Sequence, residues 1–301
     1  MFKTSNWLHL RVHFSYFLLP IYLFALSISP NLSEGGLLWM FIILHLFIYP
    51  ASNAFNSYFD KDEKSIGGLK NPPPVDKNLF YLSQIFDVLG LVLALIFFSG
   101  NYTLLFMLIA YILASRAYSH PKVRLKKYAV FSWLIAGFFQ GAWVVWIVFI
   151  GLDDFSFAQI LKPHVIIPGL LASAILWGSY PMTQVYQHEE DAKRGDITLS
   201  IKLGIKGTFM FTGIFFALAS LGYFFYFKSY FDIKYSLIFL AAMSPVVVYF
   251  TWWFVKTLKD ESQADYTNTM RLNWISATCL GGFFLYLFLD SSHVLSVVGV
   301  Y

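Results

Sequence analysis

The sequence predicts an all-α membrane protein, a bundle of nine transmembrane helices that forms a single domain over residues 1–301. Of the 301 residues, 58% are hydrophobic, 20% are aromatic and only 13% are charged, about half the charged share of an ordinary soluble protein. Apolar stretches long enough to cross a bilayer recur along the whole chain. Lys and Arg are concentrated in alternate connections. These three observations exclude a soluble protein.

The nine predicted spans follow one another with connections of alternating character. The apolar windows lie at residues 12–28, 37–57, 79–99, 102–117, 129–150, 164–185, 207–227, 235–256 and 272–290. No small-residue cleavage site follows the first window and Pro20 interrupts it, so we interpret it as a retained helix and not a signal peptide. Connections after the odd-numbered spans are short, whereas those after spans two, four, six and eight are long and polar.

The distribution of positive charge predicts the orientation of the bundle in a cell inner membrane. Of the 21 Lys and Arg residues, 18 lie on the side of the N-terminus, and only Lys162, Lys228 and Lys234 lie on the other. Loops rich in Lys and Arg stay in the cytoplasm. We therefore expect the N-terminus and the four long loops to be cytoplasmic and the C-terminus to be outside.

The cysteine count and the net charge exclude two further classes of function. The single cysteine, Cys279, cannot form a disulfide within the chain and excludes a cysteine-rich metal site. A net charge of +4 is too small to indicate a nucleic-acid partner. The lipid bilayer is the one partner that composition alone predicts.

The first long loop begins with an acidic helix end. Asn56 and Asp60 are four residues apart, so they share one face if the helix continues. Asp62 and Glu63 follow directly, before a Gly-Gly turn and three prolines. Ionisable groups at the membrane are costly and indicate a functional site.

The third long loop repeats this arrangement. Gln187 and Asp191 are four residues apart, Glu190 lies between them, and Gly195 ends the short helix. Two acidic helix ends on one side of a bundle can hold Mg²⁺ between them, and Mg²⁺ is typically bound by few carboxylates together with phosphate oxygens. A diphosphate ligand is therefore predicted.

The second long loop supplies positive charge between the two acidic ones. Its basic residues are Arg116, Lys122, Arg124, Lys126 and Lys127. Of these, Arg116, Arg124 and Lys126 are predicted to bind the diphosphate. The alternative is that the carboxylates are merely solvated and that the basic residues only follow the charge rule for loops.

The three loops together resemble the UbiA-type intramembrane prenyltransferases, whose nine-helix bundle carries two Asp-rich motifs after helices two and six. The first family motif runs Asn-Asp-x-x-Asp-x-x-x-Asp. Asn56 and Asp60 match this motif, and Asn53 matches an Asn that commonly precedes it by one turn. Ser57 and Lys64 stand where the motif has Asp. The resemblance leaves open whether Asp62 and Glu63 replace the missing carboxylates.

The second and third loops add to the resemblance. The second family motif is Asp-x-x-x-Asp-x-x-x-Gly, in which Gln187 replaces the first Asp while Asp191 and Gly195 match. The segment from Tyr118 to Lys126 is similar to the family's Tyr-Ser-x-Pro-x-x-x-Leu-Lys loop. Three motifs in the right order and on the same side make the resemblance specific.

The resemblance implies Mg²⁺-dependent transfer of an isoprenoid chain from a prenyl diphosphate to a hydrophobic or aromatic acceptor. The expected metal ligands are Asp60, Asp62, Glu63, Glu190 and Asp191, of which Asp60 and Asp191 are also the expected catalytic residues. Asn53, Asn56 and Gln187 are expected to orient the ligands or the phosphate oxygens. Quinone, haem, chlorophyll-type and ether-lipid acceptors all remain open.

Three further residues are expected near the substrate pocket. Tyr118 opens the basic loop, whereas Asp87 and Gln140 lie within predicted spans. For Asp87 a hydrogen bond between helices is the alternative, and for Gln140 the alternative is helix packing beside Gly137 and Gly141. A different function also stays open, a non-catalytic transporter or lipid-binding scaffold, because three motif carboxylates are missing.

Overall fold

The computed structural model describes residues 3–292, and within them nine helices are long and apolar enough to cross a membrane. The predicted nine-span, all-α bundle is thereby confirmed. The helices are α1 (Thr4–Ile28), α2 (Glu34–Asp60), α3 (Asn78–Phe97), α4 (Tyr102–Ser119), α5 (Ala129–Asp153), α6 (Pro163–Gln184), α7 (Leu199–Tyr230), α8 (Ile233–Lys259) and α9 (Tyr266–Ser291). Several extend beyond the apolar windows because their polar ends are helical too. The predicted outer C-terminal tail lies outside the described residues.

The helices form a closed ring, in which the second half of α5 packs against α1, α2, α4 and α6. Helices α6, α7, α8 and α9 pack in chain order, and α9 packs against α1. Residues Ala142–Asp153 of α5 contact α1, α4 and α6 and are almost entirely buried. A helix that is apolar all round is suited to such a central position. Large apolar side chains on the outside remain exposed, among them Phe106 and Val248, as expected for a surface that faces lipid.

Helix α5 is interrupted at Gly141, where the backbone leaves helical geometry. A Cβ at this position would lie 2.6 Å from the backbone of Ser173 in α6, so only glycine fits. The Ser173 hydroxyl bridges the interruption: Oγ donates to the Gly137 carbonyl at 3.0 Å and accepts from the Ala142 N–H at 2.9 Å. The break directs Gln140, the last residue before it, toward the interior of the bundle.

Three connections form one surface over the ends of α2 and α6, which we call the loop face (residues 61–77, 120–128 and 185–198). The third connection contains a short helix, His188–Lys193. Residues 128–129 and 197–198 pair as short parallel strands, which ties the second connection to the third. The Lys64 backbone N–H donates to Glu190 at 3.0 Å and ties the first connection to the third. The loop face is therefore a connected unit.

Candidate active site

A cavity of about 220 Å³ lies beneath the loop face, between the ends of α2 and α6. Nine of the predicted site residues line it, and they come from all three connections and three helices: Asn53, Asn56, Asp60, Asp62, Tyr118, Lys126, Gln140, Gln187 and Asp191. The fold thus brings together side chains that are separated by more than a hundred positions in the sequence.

The first acidic stretch enters the cavity from the end of α2. Asp60 is the last helical residue, because Lys61 adopts a left-handed conformation with φ of 49° and ends the helix. Asn56 lies one turn earlier and donates from Nδ2 to Asp60 Oδ2 at 2.8 Å and to Ser119 Oγ at 3.1 Å. The shared face predicted from the four-residue spacing is present. The amide holds the carboxylate in place at the cavity wall.

The second acidic stretch approaches from the opposite side. Asp191 lies in the short helix and is buried, and Gly195 ends that helix with a left-handed φ of 73°. The Gln187 side chain lines the cavity and donates to the Ser65 carbonyl at 3.4 Å. The two acidic stretches therefore face one another across the cavity, as their repeated spacing suggested.

Lys126 and Arg124 neutralise the buried carboxylates between the two stretches. Lys126 Nζ lies 2.5 Å from Asp60 Oδ1 and 3.2 Å from Asp196 Oδ2. Arg124 binds Asp196 through two hydrogen bonds of 2.7 and 2.8 Å and lies 3.6 Å from Asp60. Arg124 does not line the cavity, because its guanidinium is hydrogen-bonded to Asp196. Asp196 was not among the predicted site residues.

Arg194 connects the two acidic stretches, and it too was absent from the sequence-based predictions. Its guanidinium forms an ion pair with Asp62 from the first connection and lies 2.8 Å from Asp191 Oδ1 in the third. It also approaches Glu190 at 3.9 Å and Asp196 at 3.7 Å. The side chain lines the cavity. Its position just before Gly195 was visible in the sequence, but its partner Asp62 lies across a tertiary contact.

Burial favours the neutral form of each of these groups, whereas neighbouring opposite charges favour the charged form. Burial raises the pKa of Asp191 to about 6, against the opposing charges of Lys126 and Arg194. Burial also disfavours the Asp196 carboxylate, yet hydrogen bonds from Arg124 and the charge of Lys126 leave the pKa of Asp196 lowered. For Arg194 burial opposes the charge, but the surrounding carboxylates raise the pKa overall. Of these two carboxylates, Asp191 is therefore the more easily protonated near neutral pH.

Some predicted residues lie away from the cavity wall. Arg116 forms an ion pair with Asp87 and stacks on the Phe55 ring at 4.0 Å, so its charge is engaged between α2, α3 and α4. The interhelical alternative for Asp87 thus describes its place in the structure. Glu63 is exposed on the first connection. Glu190 is half-buried behind Asp191 and accepts from Lys64.

A second cavity, of about 560 Å³, continues from the first toward the middle of the bundle. Its wall is mainly apolar and comes from α1, α6, α7, α8 and α9, and it includes Ala277, Leu240 and Val247. Leu240 and Val247 are also exposed on the outer surface, at 45% and 48%, so this wall reaches the lipid side. We call this space the apolar chamber. Seven residues line both cavities: Phe14, Ser52, Asn53, Tyr111, Gln140, Tyr180 and Thr183.

The junction between the cavity and the apolar chamber is polar on one side. Gln140 reaches it from the break in α5, and Tyr118 and Tyr180 hydrogen-bond to one another across it. Arg11, which the sequence analysis counted only for topology, lines the cavity as well and donates to the carbonyls of Gly67 and Asn53 at 3.0 and 3.1 Å. The Gln140 amide therefore lies where polar and apolar space meet, and the Arg11 guanidinium lines the charged cavity.

The chemistry of the side chains fits Mg²⁺, although the ion's ligands are not preassembled. Within residues 3–292 no three His, Cys, Asp or Glu side chains converge on one point. Asp60 Oδ1 has the Lys126 ammonium as its partner, and the buried Glu190 Oε2 has no hydrogen-bond partner. Mg²⁺ prefers such hard oxygen ligands and completes its octahedron with phosphate oxygens and water. Asp60 and Asp191 would hold the ion together with a diphosphate.

Comparison with known proteins agrees with this geometry. The UbiA prenyltransferase family matches residues 17–288. The fold is that of the intramembrane prenyltransferases as a class. The chain belongs to the UbiA prenyltransferase family and is an integral, multi-pass membrane protein. A search among curated proteins by sequence gives no match.

Solved structures of relatives share the whole architecture at low sequence identity. A UbiA homologue from Archaeoglobus fulgidus bound to DMAPP and Mg²⁺ is 17% identical with a TM-score of 0.64, over 97% of this chain and 100% of that one. The apo UbiA homologue from Aeropyrum pernix K1 is 14% identical with a TM-score of 0.67, over 91% and 97%. A digeranylgeranylglyceryl phosphate synthase is 20% identical with a TM-score of 0.58, over 96% and 97%. The likeness shows the fold.

Proposed function

We propose that this protein transfers an isoprenoid chain from a prenyl diphosphate to an aromatic or lipid acceptor, with Mg²⁺ as cofactor. The observation that carries the proposal is the continuity of the two cavities. A small, charged cavity beneath the loop face leads directly into an apolar chamber of about 560 Å³. A prenyl diphosphate has the same two parts, a highly charged head and an apolar tail. Membership of the UbiA family supports the same proposal, as do the Mg²⁺ and DMAPP bound to the Archaeoglobus relative.

The charged cavity is suited to stabilise a leaving diphosphate. Breaking the bond between C1 of the chain and the diphosphate oxygen leaves the electron pair on the oxygen, and negative charge builds up there. Lys126 and Arg194 present N–H donors to this point. Bound Mg²⁺ would neutralise phosphate charge and polarise the leaving oxygen. Asp60 and Asp191 would hold that ion, and Asn56 donates a hydrogen bond to Asp60.

The junction between the two cavities is suited to the second step of the reaction, in which the acceptor bonds to C1 of the chain. The rings of Tyr111, Tyr118 and Tyr180 surround the place where C1 would lie, and aromatic faces stabilise cationic carbon. The acceptor bonds to C1 and releases a proton. Gln140 and Thr183, which line both cavities, are polar groups that would orient an acceptor's oxygen atoms. Because the chamber wall is apolar, water is kept from the reactive carbon.

The test is diphosphate release and lipid labelling with radiolabelled prenyl diphosphates, using purified protein in lipid nanodiscs. Wild type should form a labelled lipid product only with Mg²⁺ present. Asp60→Ala and Asp191→Ala should each lower turnover at least about a hundredfold, since each removes a charged ligand from the leaving-group site. Glu261→Ala, which changes an exposed carboxylate in another connection, is the matched control.

Two outcomes would contradict the proposal. Unchanged turnover in both aspartate variants would exclude the mechanism. Tight binding of prenyl diphosphate without any product, in the presence of a full range of acceptor lipids, would instead favour a lipid-binding or transporting protein on this bundle.

We also propose that the loop face lies in the cytoplasm, on the basis of the Lys and Arg distribution.

A further inference from the structure

We propose that Asn273 binds an uncharged oxygen atom of the acceptor, and that the acceptor is therefore a neutral molecule with a hydroxyl or carbonyl group. The inference rests on the proposed function and deepens it, because it names the chemical class of the second substrate. It concerns the polar side chains that line the apolar chamber, with which the hydrocarbon tail of the first substrate cannot form hydrogen bonds.

Asn273 faces the chamber from α9 without a partner. It lies within the apolar window 272–290, is half-buried and lines the chamber. Within residues 3–292 its amide makes no hydrogen bond. A polar side chain among apolar ones is costly when it has no partner. By contrast, the Asn268 amide, in the same helix, donates to the Gln263 carbonyl and to Asp265 Oδ2, both at 3.1 Å.

Two hydroxyls of the chamber wall are also unpaired. Ser276 in α9 and Ser220 in α7 both line the chamber, and in the described part of the chain neither makes a hydrogen bond. The Ser220 Oγ is buried. Serine hydroxyls elsewhere in the bundle bond to a carbonyl of their own turn, as Ser244 does to Ala241 at 2.8 Å. The chamber therefore offers hydrogen bonds to a ligand that carries oxygen.

The position of Asn273 along α9 places it beside the reacting ends of the two substrates. Met270 lines the charged cavity, and Asn273, three residues later, lines the chamber. Three residues advance a helix by about 4.5 Å. Asn273 therefore lies just beyond the junction, where an acceptor that bonds to C1 of the chain must lie.

The absence of charge around the chamber limits what the acceptor can carry there. The described residues that line the chamber include no Asp, Glu, Lys, Arg or His. A carboxylate or phosphate would lose its hydration there without gaining an opposite charge, which costs far more than burying a hydroxyl. An amide both donates and accepts, so Asn273 can bind a hydroxyl or a carbonyl oxygen. A neutral ring and a neutral glycerol headgroup both meet these conditions.

The first experiment compares acceptors with purified wild-type protein in nanodiscs, using a radiolabelled prenyl diphosphate and Mg²⁺. Two neutral acceptors are used, a naphthalenediol and a monoalkylglycerol, each beside an anionic counterpart with a carboxylate or a phosphate added. Wild type should use at least one neutral acceptor, with a kcat/KM at least about tenfold above that of its anionic counterpart. The pair that is used identifies the source of the oxygen as a ring or a glycerol lipid.

The second experiment tests Asn273 itself. Leu has the same number and branching of side-chain heavy atoms as Asn but no hydrogen-bonding group, so Asn273→Leu removes only the polar contact. The acceptor KM should rise about tenfold, and the variant should no longer distinguish the acceptor from an analogue that lacks one hydroxyl. Asn273→Gln keeps the amide and should recover part of the loss. The affinity for a non-reacting prenyl thiolodiphosphate should stay as in wild type.

Asn31→Leu is the matched control, because it makes the same replacement at an exposed residue between α1 and α2, at the other end of the bundle from the loop face. It should leave the acceptor KM unchanged. Elution as a single species and an unchanged helical spectrum establish that each variant is folded.

Several results would overturn the inference while prenyl transfer stands. These are equal use of neutral and anionic acceptors, an acceptor KM in folded Asn273→Leu within about twofold of wild type, and a loss of thiolodiphosphate affinity in that variant, which would place Asn273 beside the donor. No product with any of the four acceptors would also overturn it. The proposed function fails only if no acceptor lipid of any kind is labelled.

Discussion

Lys126 carries much of the charge balance of the site through a single ammonium. It lies between Asp60 and Asp196, which come from different parts of the chain, and all three side chains are buried. Removing one member of a buried ion pair typically costs about 3–5 kcal/mol, because the other charge is left uncompensated. An ammonium has three donors. Lys126 can therefore keep both carboxylates and still donate to a phosphate oxygen.

At the same scale, Asp191 predicts how the site responds to acid. Its pKa is raised to about 6, so the carboxylate takes up a proton as the pH falls through that value. A protonated carboxyl no longer binds Mg²⁺. We expect the Mg²⁺ affinity to fall between about pH 7 and about pH 5, approaching tenfold per pH unit at the acid end because one proton competes with the ion. Isothermal titration of Mg²⁺ at each pH measures this.

Asp191→Asn provides the comparison for this pH dependence. The amide cannot titrate, so the variant should bind Mg²⁺ more weakly at neutral pH and lose much less affinity on acidification. A wild-type affinity that stays constant across the same range would show that Asp191 is not a ligand.

At the scale of single elements, the break in α5 positions Gln140 for the cavity junction. Ser173 in α6 makes two hydrogen bonds across this break. Ser173→Ala removes both and leaves the buried Ala142 N–H without its partner, while the Gly137 carbonyl keeps the hydrogen bond from the Gly141 N–H. The expected loss is about 1–3 kcal/mol in the free energy of unfolding, measured by thermal denaturation in detergent. The junction should also become less ordered, so turnover should fall with stability.

Ser244 in α8 serves as the matched control, because its hydroxyl is exposed and bonds only to its own helix at the Ala241 carbonyl. Ser244→Ala should change the unfolding temperature little. Equal effects of the two substitutions would mean that the Ser173 bridge adds nothing to the stability of the break.

The limits of sequence-based prediction are also clearest at the level of elements. The nine spans were predictable because each is a long apolar run, and the face shared by Asn56 and Asp60 followed from helical spacing. The partners of Arg116 and Arg124 were not predictable from the sequence, because Asp87 and Asp196 are brought to them by tertiary packing. Arg194 escaped notice for the same reason, since Asp62 lies 132 residues away. Positive charges in loops do not reveal which carboxylate they bind.

At the scale of the whole molecule, the volume of the apolar chamber should limit the length of the transferred chain. Ala277 in α9 is buried and lines the chamber, so Ala277→Phe fills part of that space. We expect the variant to prefer shorter prenyl diphosphates than wild type does, because a long tail no longer fits beside the ring. Competition between substrates of increasing chain length, with products resolved by mass spectrometry, measures the preference.

Ala241→Phe adds the same ring on the exposed side of α8, away from the chamber. It should leave the chain-length preference as in wild type. If Ala277→Phe also leaves that preference unchanged, the tail occupies some other space than the chamber.

The chamber wall that reaches the outer surface at Leu240 and Val247 has a consequence for kinetics. A substrate that arrives through such a wall is dissolved in the bilayer, and its effective concentration is its mole fraction among the lipids. Diluting the vesicles with buffer would then leave the rate per enzyme unchanged. Diluting the substrate with inert lipid would lower it. For such a substrate, the bilayer is the solvent from which the protein binds it.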